Sequence, residues 1–320
     1  MEKMKAVVCT KYGPPEVLQL RELEKPTPKD NEVLIKVRAT AVTASDCIIR
    51  AFKMPGMPKF PMKQIMELMM RFYVGFTKPR NPVIGLVLSG EIETVGKDIK
   101  QYKKGDQVYG FTGYSFGAYA EYKCMSEKDS TLGSMAIKPA NMSHEEAASV
   151  VYGGVLAMHF MSMEDIQSGQ KVLIYGASGA IGTIAVQLAK YYGAEVTGVC
   201  STANIELVRS LGADKVIDYT KEDSIDKLEL YDFILDAVGE NKSSELKTQC
   251  KKALSPGGKY QSVDNGLLKL RSEYFIKLRE IIEAGHVKTI TDSTYPMEQI
   301  VEAHRYVDKG HKKGNVVITV

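Results

Sequence analysis

The sequence predicts an α/β protein with a doubly wound parallel sheet, joined to a second, mostly-β domain. Up to about residue 124, short β-branched or alternating runs are separated by Gly, Pro and Asp, which is typical of antiparallel or barrel-like β structure. From Met142 onwards, helical patterns alternate with apolar strands, and such alternation indicates a parallel sheet covered on both faces. The 320 residues are enough for two domains of ordinary size.

Five strand-like runs justify the β assignment of the first half, and they are residues 6–10, 32–40, 86–96, 106–111 and 118–125. Between the second and third of these runs lies a stripe of apolar residues at helical spacing, which consists of Ile65, Leu68, Met69 and Phe72. A stripe of this kind predicts a helix packed on the core. The alternative is an adaptable apolar wall for a bulky substrate.

The second half begins with a helical pattern at 145–163, followed by strand-like runs at 171–175, 194–200, 214–219, 232–239 and 258–263. After a helix at 273–284, the last strands resemble those of the first half. We therefore expect the chain to return to its first domain at its end. The predicted domains are residues 1–124 together with 287–320, and residues 125–286.

Composition and charge exclude several classes of protein. The net charge of +3 is too small to indicate a nucleic-acid partner. The first residues lack the apolar region of a signal peptide, and the most apolar long segment, Ile65–Phe76, is too short to span a membrane. The five cysteines include no Cys-x-x-Cys, which favours reduced thiols over disulfides or a zinc cluster. We expect a cytoplasmic protein without membrane insertion.

Residues 172–190, VLIYGASGAIGTIAVQLAK, combine a buried strand, a glycine turn and an amphipathic helix. Gly176, Gly179 and Gly182 form a G-x-x-G-x-x-G motif in that turn. A glycine turn lets the backbone approach a phosphate, and the helix N-terminus offers free N–H groups and partial positive charge. Followed by a second strand, the motif predicts a Rossmann-type dinucleotide site. The alternative is a tight turn that binds no ligand.

The end of the second strand bears on which dinucleotide binds. An NAD site usually carries Asp or Glu there, whereas residues 200–204 read CSTAN and the first carboxylate is Glu206. Small hydroxyl and amide groups admit a 2′-phosphate, so NADPH is favoured. NADH is the alternative, because CSTAN contains no Lys or Arg to pair the phosphate. A further alternative is that Ser201 or Thr202 serves only as the N-cap of a helix.

Nine motifs, including the glycine turn, follow one another along the chain. They are GPPEVLQL, NEVLIKVRATAVTASD, PVIGLVLSGEIETVG, YKKGDQVYGF, GAYAEY, GASGAIG, GADKVIDY, DAVG and KKGNVVITV. This ordered set resembles the medium-chain dehydrogenase/reductase superfamily, and within it the zinc-independent quinone oxidoreductase-like branch. The resemblance implies a GroES-like mostly-β catalytic domain, built from both chain ends around a Rossmann NADP(H)-binding domain. It also implies a nicotinamide in the cleft between the two.

Departures from the superfamily pattern narrow the expected chemistry. Zinc-dependent relatives carry a Cys ligand where this chain has Thr43, and Gly-His-Glu where it has Gly85, Leu86 and Val87. A catalytic zinc needs three protein ligands, so we expect a metal-free protein. Without a Lewis acid, reduction of a quinone or an α,β-unsaturated carbonyl is favoured, since the developing charge spreads over a phenolate or enolate. The resemblance implies the same substrates.

The resemblance assigns cofactor contacts to the pyrophosphate turn (Ser178, Gly179, Ala180 and Ile181), the adenosine phosphate pocket (Ser201, Thr202, Asn204 and Tyr219), the path to the nicotinamide (Val238 and Val263) and a C-terminal stretch (Lys313 and Asn315). It also places Thr43 at a catalytic position. The alternative for Thr43 is a loop residue that satisfies backbone groups. Ile48 and Leu156 replace a Tyr and a Thr of quinone reductases, so the proton donor is unassigned.

These inferences predict an NADPH-dependent oxidoreductase that transfers a hydride to quinones or enones without a metal. The alternative is a dinucleotide-binding redox sensor or structural protein with little catalysis, which the replacements at Ile48 and Leu156 keep open. Relatives have a longer segment in place of residues 265–272 and use it to dimerise, so a homodimer and a monomer are both open.

Overall fold

The computed structural model describes residues 2–53, 62–161, 166–239, 244–266 and 268–320. The chain divides into two compact units. The first unit contains Met1–Val151, Leu270–Ile276 and Thr291–Val320, and the second contains Tyr152–Lys269 and Lys277–Ile290. Residue 267, in the short segment 265–272, lies outside the described residues.

The strands of the described residues are β1 (Lys3–Cys9), β2 (Leu18–Glu24), β3 (Glu32–Val42), β4 (Val87–Val95), β5 (Gln107–Phe111), β6 (Tyr122–Ser126), β7 (Ser134–Ile137), β8 (Lys171–Tyr175), β9 (Glu195–Cys200), β10 (Lys215–Asp218), β11 (Tyr231–Asp236), β12 (Leu254–Ser262), β13 (Thr291–Pro296) and β14 (Asn315–Thr319). The helices are α1 (Ala44–Ala51), α2 (Met62–Val74), α3 (His144–Phe160), α4 (Ala180–Tyr191), α5 (Ile205–Ser210), α6 (Glu245–Lys252), α7 (Ser272–Glu283) and α8 (Ile300–Asp308). Within the described residues, none of these helices is both long enough and apolar enough to cross a bilayer.

The second unit is built on a parallel sheet with the strand order β10-β9-β8-β11-β12. The chain enters at β8 in the middle, proceeds outwards to β9 and β10, and returns to the other side of β8 at β11. The strand order therefore reverses between β8 and β11, and open α/β sheets bind ligands at such a switch point. The prediction of an α/β fold with a doubly wound parallel sheet is confirmed.

Helix α4 is more deeply buried than the sequence pattern predicts. The apolar positions indicate one buried face, but every residue from Ile181 to Ala189 is buried. A helix that is apolar on most sides is typical of a protein interior. Small residues allow this close packing: a Cβ on Gly182 would lie 2.2 Å from the carbonyl oxygen of Gly176.

The first unit contains a larger sheet with the order β13-β14-β3-β4-β5-β7, in which β6 also pairs with β3, and a separate β1-β2 pair. β14 pairs antiparallel with β3, so the end of the chain lies in the sheet of the first unit. The division into units differs from the predicted boundary at residue 125. β7 pairs with β5, and this pairing places residues well beyond 125 in the first unit.

Helix α2 forms where the apolar stripe predicts a helix, but the stripe does not pack on the core. Its four side chains, which are Ile65, Leu68, Met69 and Phe72, are 53 to 62% exposed. A different face anchors the helix, since the Arg71 guanidinium lies over the Phe52 ring at 4.4 Å from its centroid. The expectation of core packing is therefore wrong for these four side chains, and the cation–π contact of Arg71 holds the helix at an adjacent face.

Replacing Gly182 by Ala is expected to destabilise the second unit by about 1–3 kcal/mol, because the backbone of the glycine turn must shift to admit the new Cβ. Gly179→Ala is the matched control. Gly179 has a φ of −82°, and its Cβ would meet Gly176 O at an ordinary 3.5 Å. We expect the free energy of unfolding of that control to fall by less than about 1 kcal/mol. Urea unfolding followed by circular dichroism measures both losses, and equal losses would contradict this account of the turn.

Candidate functional site

The five parallel strands of the second unit end at one edge of the sheet, and predicted cofactor residues follow each strand end. The register pairs Tyr175 with Asp236, Cys200 with Asp218, and Asp236 with Ser262. The segments that follow contain Ser178, Gly179, Ala180, Ile181, Ser201, Thr202, Asn204, Tyr219, Val238 and Val263. Because carboxyl ends of parallel strands share an edge, the structure brings these ten residues to one side of the unit.

The glycine turn after β8 is shaped by backbone contacts. Gly176 has a φ of +85°, which favours glycine, and its N–H donates to Val199 O at 3.0 Å. Gly179 is the N-cap of α4, where no side chain provides a capping hydrogen bond. The first N–H groups of a helix have no partners within the helix. The turn therefore presents a helix N-terminus that suits an anion.

Among the three motif glycines, Gly179 has the open side. A Cβ on Gly176 would lie 2.5 Å from Val238 Cγ2, and one on Gly182 would clash with Gly176 O. A Cβ on Gly179 would touch only Gly176 O, at 3.5 Å, so the protein leaves that space free. A glycine with free space beside a helix N-terminus fits the pyrophosphate of a dinucleotide, because the phosphate can approach the backbone there.

Asn204 connects the glycine turn with the segment after β9. Its Nδ2 donates to Ser178 Oγ at 3.1 Å and to Ser201 Oγ at 3.2 Å. Its Oδ1 is buried and makes no hydrogen bond to the described residues. The two predicted parts of the site, turn and adenosine pocket, are thus joined by one amide.

Asp218 is a carboxylate of this site that the sequence analysis missed. It ends β10, and its Oδ2 accepts a hydrogen bond from the Thr202 hydroxyl at 2.5 Å. Its Oδ1 accepts from the N–H and the hydroxyl of Thr220, at 3.0 and 2.7 Å. Burial would raise the pKa of Asp218, but these hydrogen bonds outweigh burial and lower it below its ordinary value. No local sequence pattern identifies Asp218, because its place beside Cys200 is set by the parallel register of β10 with β9.

The remaining predicted residues of the second unit have different environments. The Tyr219 side chain is 51% exposed, and its N–H donates to Cys200 O at 3.0 Å. Val238 and Val263 are half-buried and are both held by Asp236. The Val238 N–H donates to Asp236 Oδ1, and the Val263 N–H donates to the Asp236 carbonyl, each at 3.1 Å.

Lys313 and Asn315 lie in the first unit. Lys313 is exposed, and its N–H donates to Asp292 Oδ1 at 3.2 Å. Asn315 begins β14 and is buried, and its Nδ2 has no hydrogen-bond partner among the described residues. Their approach to the cofactor stays a prediction.

Thr43 is buried at the N-cap of α1, where it forms a capping box with Asp46. The Thr43 hydroxyl donates to Asp46 Oδ2 at 2.6 Å and accepts from the Asp46 N–H at 3.2 Å. The Thr43 N–H donates to the same carboxylate oxygen at 2.9 Å. These contacts suit the alternative of a residue that satisfies backbone groups, and the catalytic role of Thr43 stays a prediction.

A second buried polar group lies further along α1. Arg50 Nη2 donates to Asp308 Oδ2 at 2.8 Å, and Arg50 Nη1 lies 3.3 Å from His304 Nδ1. A guanidinium can only donate, so His304 Nδ1 is the acceptor and the imidazole is neutral. Burial, assisted by the Arg50 charge, lowers the pKa of His304 to about 3. Burial also raises the pKa of Asp46 to about 6, although hydrogen bonds from Thr43 lower it.

The side chains around Thr43 do not fit a zinc ion. Leu86 and Val87 are buried and carry no donor atom, and the Thr43 hydroxyl is bound to Asp46. Across the described ranges, no three His, Cys, Asp or Glu side chains are grouped in a way that could hold a metal ion.

His304 and Asp46 are expected to give the stability of the first unit opposite pH dependences. Folded His304 binds fewer protons than its unfolded form between pH 6.5 and about 3, so its contribution falls as the pH falls. Folded Asp46 binds more protons than its unfolded form between about pH 6 and 3.8, so its contribution rises as the pH falls.

When the pH is lowered from 7 to about 4.5, we therefore expect the free energy of unfolding of His304→Gln to rise by about 2 kcal/mol relative to that of the natural chain. The free energy of unfolding of Asp46→Asn is expected to fall by about 2 kcal/mol on the same scale. Urea unfolding at the two pH values measures both changes. The prediction fails where both variants keep the pH dependence of the natural chain.

Two protein-family models match this chain in succession. Residues 29–134 match the alcohol dehydrogenase GroES-like domain, and residues 180–303 match the zinc-binding dehydrogenase family. The first match lies in the mostly-β unit, and the second begins at the N-terminus of α4. The predicted combination of a GroES-like domain with a parallel sheet is confirmed.

Whole-chain relatives agree with the family models. The chain is 30% identical to an NADPH-dependent alkenal/one oxidoreductase of Arabidopsis thaliana, over 99% of this chain and 80% of that protein. It is 31% identical to a 2-methylene-furan-3-one reductase of Solanum lycopersicum, over 99% and 79%. A solved quinone oxidoreductase from Coxiella burnetii shares the fold, with a TM-score of 0.82, 24% identity and full coverage of both chains. The chain therefore belongs to the medium-chain dehydrogenase/reductase superfamily, in its quinone oxidoreductase-like branch.

Proposed function

We propose that the protein is an NADPH-dependent reductase of quinones and α,β-unsaturated carbonyl compounds. The observation that carries the proposal is the open space at Gly179, beside an uncapped helix N-terminus at the switch point of the parallel sheet. The names of two relatives, an alkenal/one oxidoreductase and a methylene-furanone reductase, support the class of substrate.

Different residues of the second unit bind different parts of the dinucleotide in this proposal. The backbone N–H groups of Ala180 and Ile181 bind the pyrophosphate, which the open side of Gly179 admits. Asn204 orients the Ser178 hydroxyl towards the same turn. Ser201, Thr202 and Tyr219 surround the adenosine ribose, while Val238 and Val263 provide apolar contacts for the nicotinamide. A reduced nicotinamide supplies a hydride when it is bound.

We propose that zinc takes no part in the reaction, because Thr43, Leu86 and Val87 offer no ligand set. An enone or quinone that accepts a hydride carries its negative charge on an enolate or phenolate. That charge is delocalised, so hydrogen-bond donors stabilise it sufficiently without a Lewis acid. Water is the proton source we propose, since the Thr43 hydroxyl proton is engaged by Asp46.

The decisive assay follows the absorbance of NADPH with a panel of quinones and enones. We expect oxidation of NADPH by members of at least one of the two classes, with unreactive saturated ketones as the comparison. Tight NADPH binding without turnover of any substrate would overturn the reductase and favour the alternative of a redox sensor.

Gly179→Ala is expected to weaken NADPH binding at least about tenfold, or ~1.4 kcal/mol, because the methyl group occupies the space beside the helix N-terminus. The fold itself tolerates this change, so circular dichroism and the unfolding midpoint are expected to stay close to those of the natural chain. NADPH fluorescence titration measures the affinity. An unchanged affinity would show that the pyrophosphate does not bind at this turn.

NADH is a second candidate cofactor, which the Asp218 carboxylate favours. Thr202 donates its hydroxyl proton to Asp218, so the Thr202 oxygen can accept from a ribose hydroxyl but cannot donate to a 2′-phosphate. The neutral partners of Asp218 leave its negative charge in place, and that charge repels a 2′-phosphate. NADPH remains our first candidate because no carboxylate lies at the end of β9.

Asp218→Asn is expected to tighten NADPH binding severalfold, by about 1 kcal/mol, and to leave NADH binding within about twofold. The matched control is Glu195→Gln, which removes a carboxylate from the opposite end of β9 and is expected to change neither affinity. Titrations with both cofactors decide the question. An equal change for NADPH and NADH in Asp218→Asn would show that this charge does not act on the 2′-position.

A further inference from the structure

A buried ion pair lies at the carboxyl edge of the parallel sheet, and nothing in the proposed binding roles uses it. Lys247 Nζ, on α6, is 2.6 Å from Asp236 Oδ2, at the end of β11. The two side chains are only 7% and 1% exposed. The pair therefore lies inside the protein, next to the switch point between β8 and β11.

Both oxygens of Asp236 are fully used. Oδ1 accepts the N–H groups of Val238 and Gly239, each at 3.1 Å. Oδ2 accepts the Tyr260 hydroxyl at 2.9 Å in addition to Lys247. Lys247 Nζ also donates to the Gly239 carbonyl. The pair thus holds the N–H and the carbonyl of Gly239 at once and fixes the short turn 237–239, the Val238 turn.

The Val238 turn also packs against the glycine turn after β8. Val238 Cγ2 lies where a Cβ on Gly176 would approach to 2.5 Å, so the valine packs on the glycine backbone. Asp264 packs against Gly239 from another side, since a Cβ added to Gly239 would lie 2.3 Å from Asp264 Oδ2. A shift of the turn would therefore move Val238, which is the predicted wall for the nicotinamide.

Stability alone does not account for a buried pair of this kind. Replacement of a buried ion pair by well-packed apolar residues is often neutral or stabilising, because desolvation offsets the attraction of the charges. Directional hydrogen bonds to one turn do what apolar packing cannot, since they define the positions of individual backbone atoms.

We propose that Asp236 and Lys247 are positioning residues that hold the Val238 turn for the nicotinamide half of the dinucleotide. This inference rests on the proposed function of the second unit. The pair sets the affinity for the nicotinamide half and leaves the adenosine half, which the segments after β8, β9 and β10 bind, unaffected.

The test compares two ligands in titrations of purified protein. NADPH reports on both halves of the site, and 2′-phospho-ADP-ribose, which lacks the nicotinamide, reports on the adenosine half and the pyrophosphate. Asp236→Asn keeps an oxygen for the two turn N–H groups but removes the charge that binds Lys247. Lys247→Met removes the other partner. In each variant we expect the NADPH dissociation constant to rise about tenfold, with a change of less than about twofold for 2′-phospho-ADP-ribose.

A double variant, Asp236→Asn with Lys247→Met, leaves no unpaired buried charge and keeps the test available where a single variant does not fold. We expect it to fold and to show the same selective loss. Glu229→Gln is the matched control, since it removes a carboxylate that lies 2.6 Å from Lys171 at the start of β8, at the opposite end of the strand. It is expected to change neither affinity.

Equal weakening of both ligands would mean that the pair only supports the fold, and unchanged NADPH affinity would mean that it does not position the turn. Either result overturns the inference. Failure of the natural chain to bind either ligand would instead refute the proposed function, so the two failures are distinguishable.

Discussion

Parallel pairing of β8 with both β9 and β11 is the constraint on which the second unit depends. Parallel neighbours need long crossover connections, and the strand order reverses across β8. All the strand ends consequently meet at one edge, where residues far apart in the chain become neighbours. The close approach of α4 to the turn after β8 completes this edge, and a Cβ at position 176 or 182 would force neighbouring atoms to shift.

Two carboxylates at this edge show how the same residue type can have different effects. Asp218 is bound by hydroxyl and N–H groups, which are neutral, so its negative charge is not balanced by these contacts. Asp236 is paired with the Lys247 ammonium, so the charge next to the Val238 turn is balanced. In the roles proposed here, the first carboxylate bears on the choice between cofactors through its electric field, and the second acts through the geometry that its hydrogen bonds impose.

The first unit contributes a different kind of polar interior. Thr43, Asp46, Arg50 and His304 are buried, and hydrogen bonds join Thr43 to Asp46 and Arg50 to His304. His304 is neutral in this cluster, and the Thr43 hydroxyl is engaged by Asp46. The proposed reaction delocalises its charge over an enolate or phenolate and therefore needs less electrophilic assistance than the reduction of a simple ketone.

The sequence by itself determined the parallel unit, the glycine turn and the class of cofactor, because these depend on local patterns of apolar residues and glycines. Family resemblance added the site residues, and ten of the twelve predicted cofactor residues lie at one edge of the sheet. Only the tertiary structure revealed that Asp218 binds Thr202, that Lys247 pairs with Asp236, that β7 joins the first unit and that the stripe on α2 is exposed. The physical reason is the same in each case: strand pairing and helix docking decide which residues from distant segments become neighbours, and no local pattern encodes that choice.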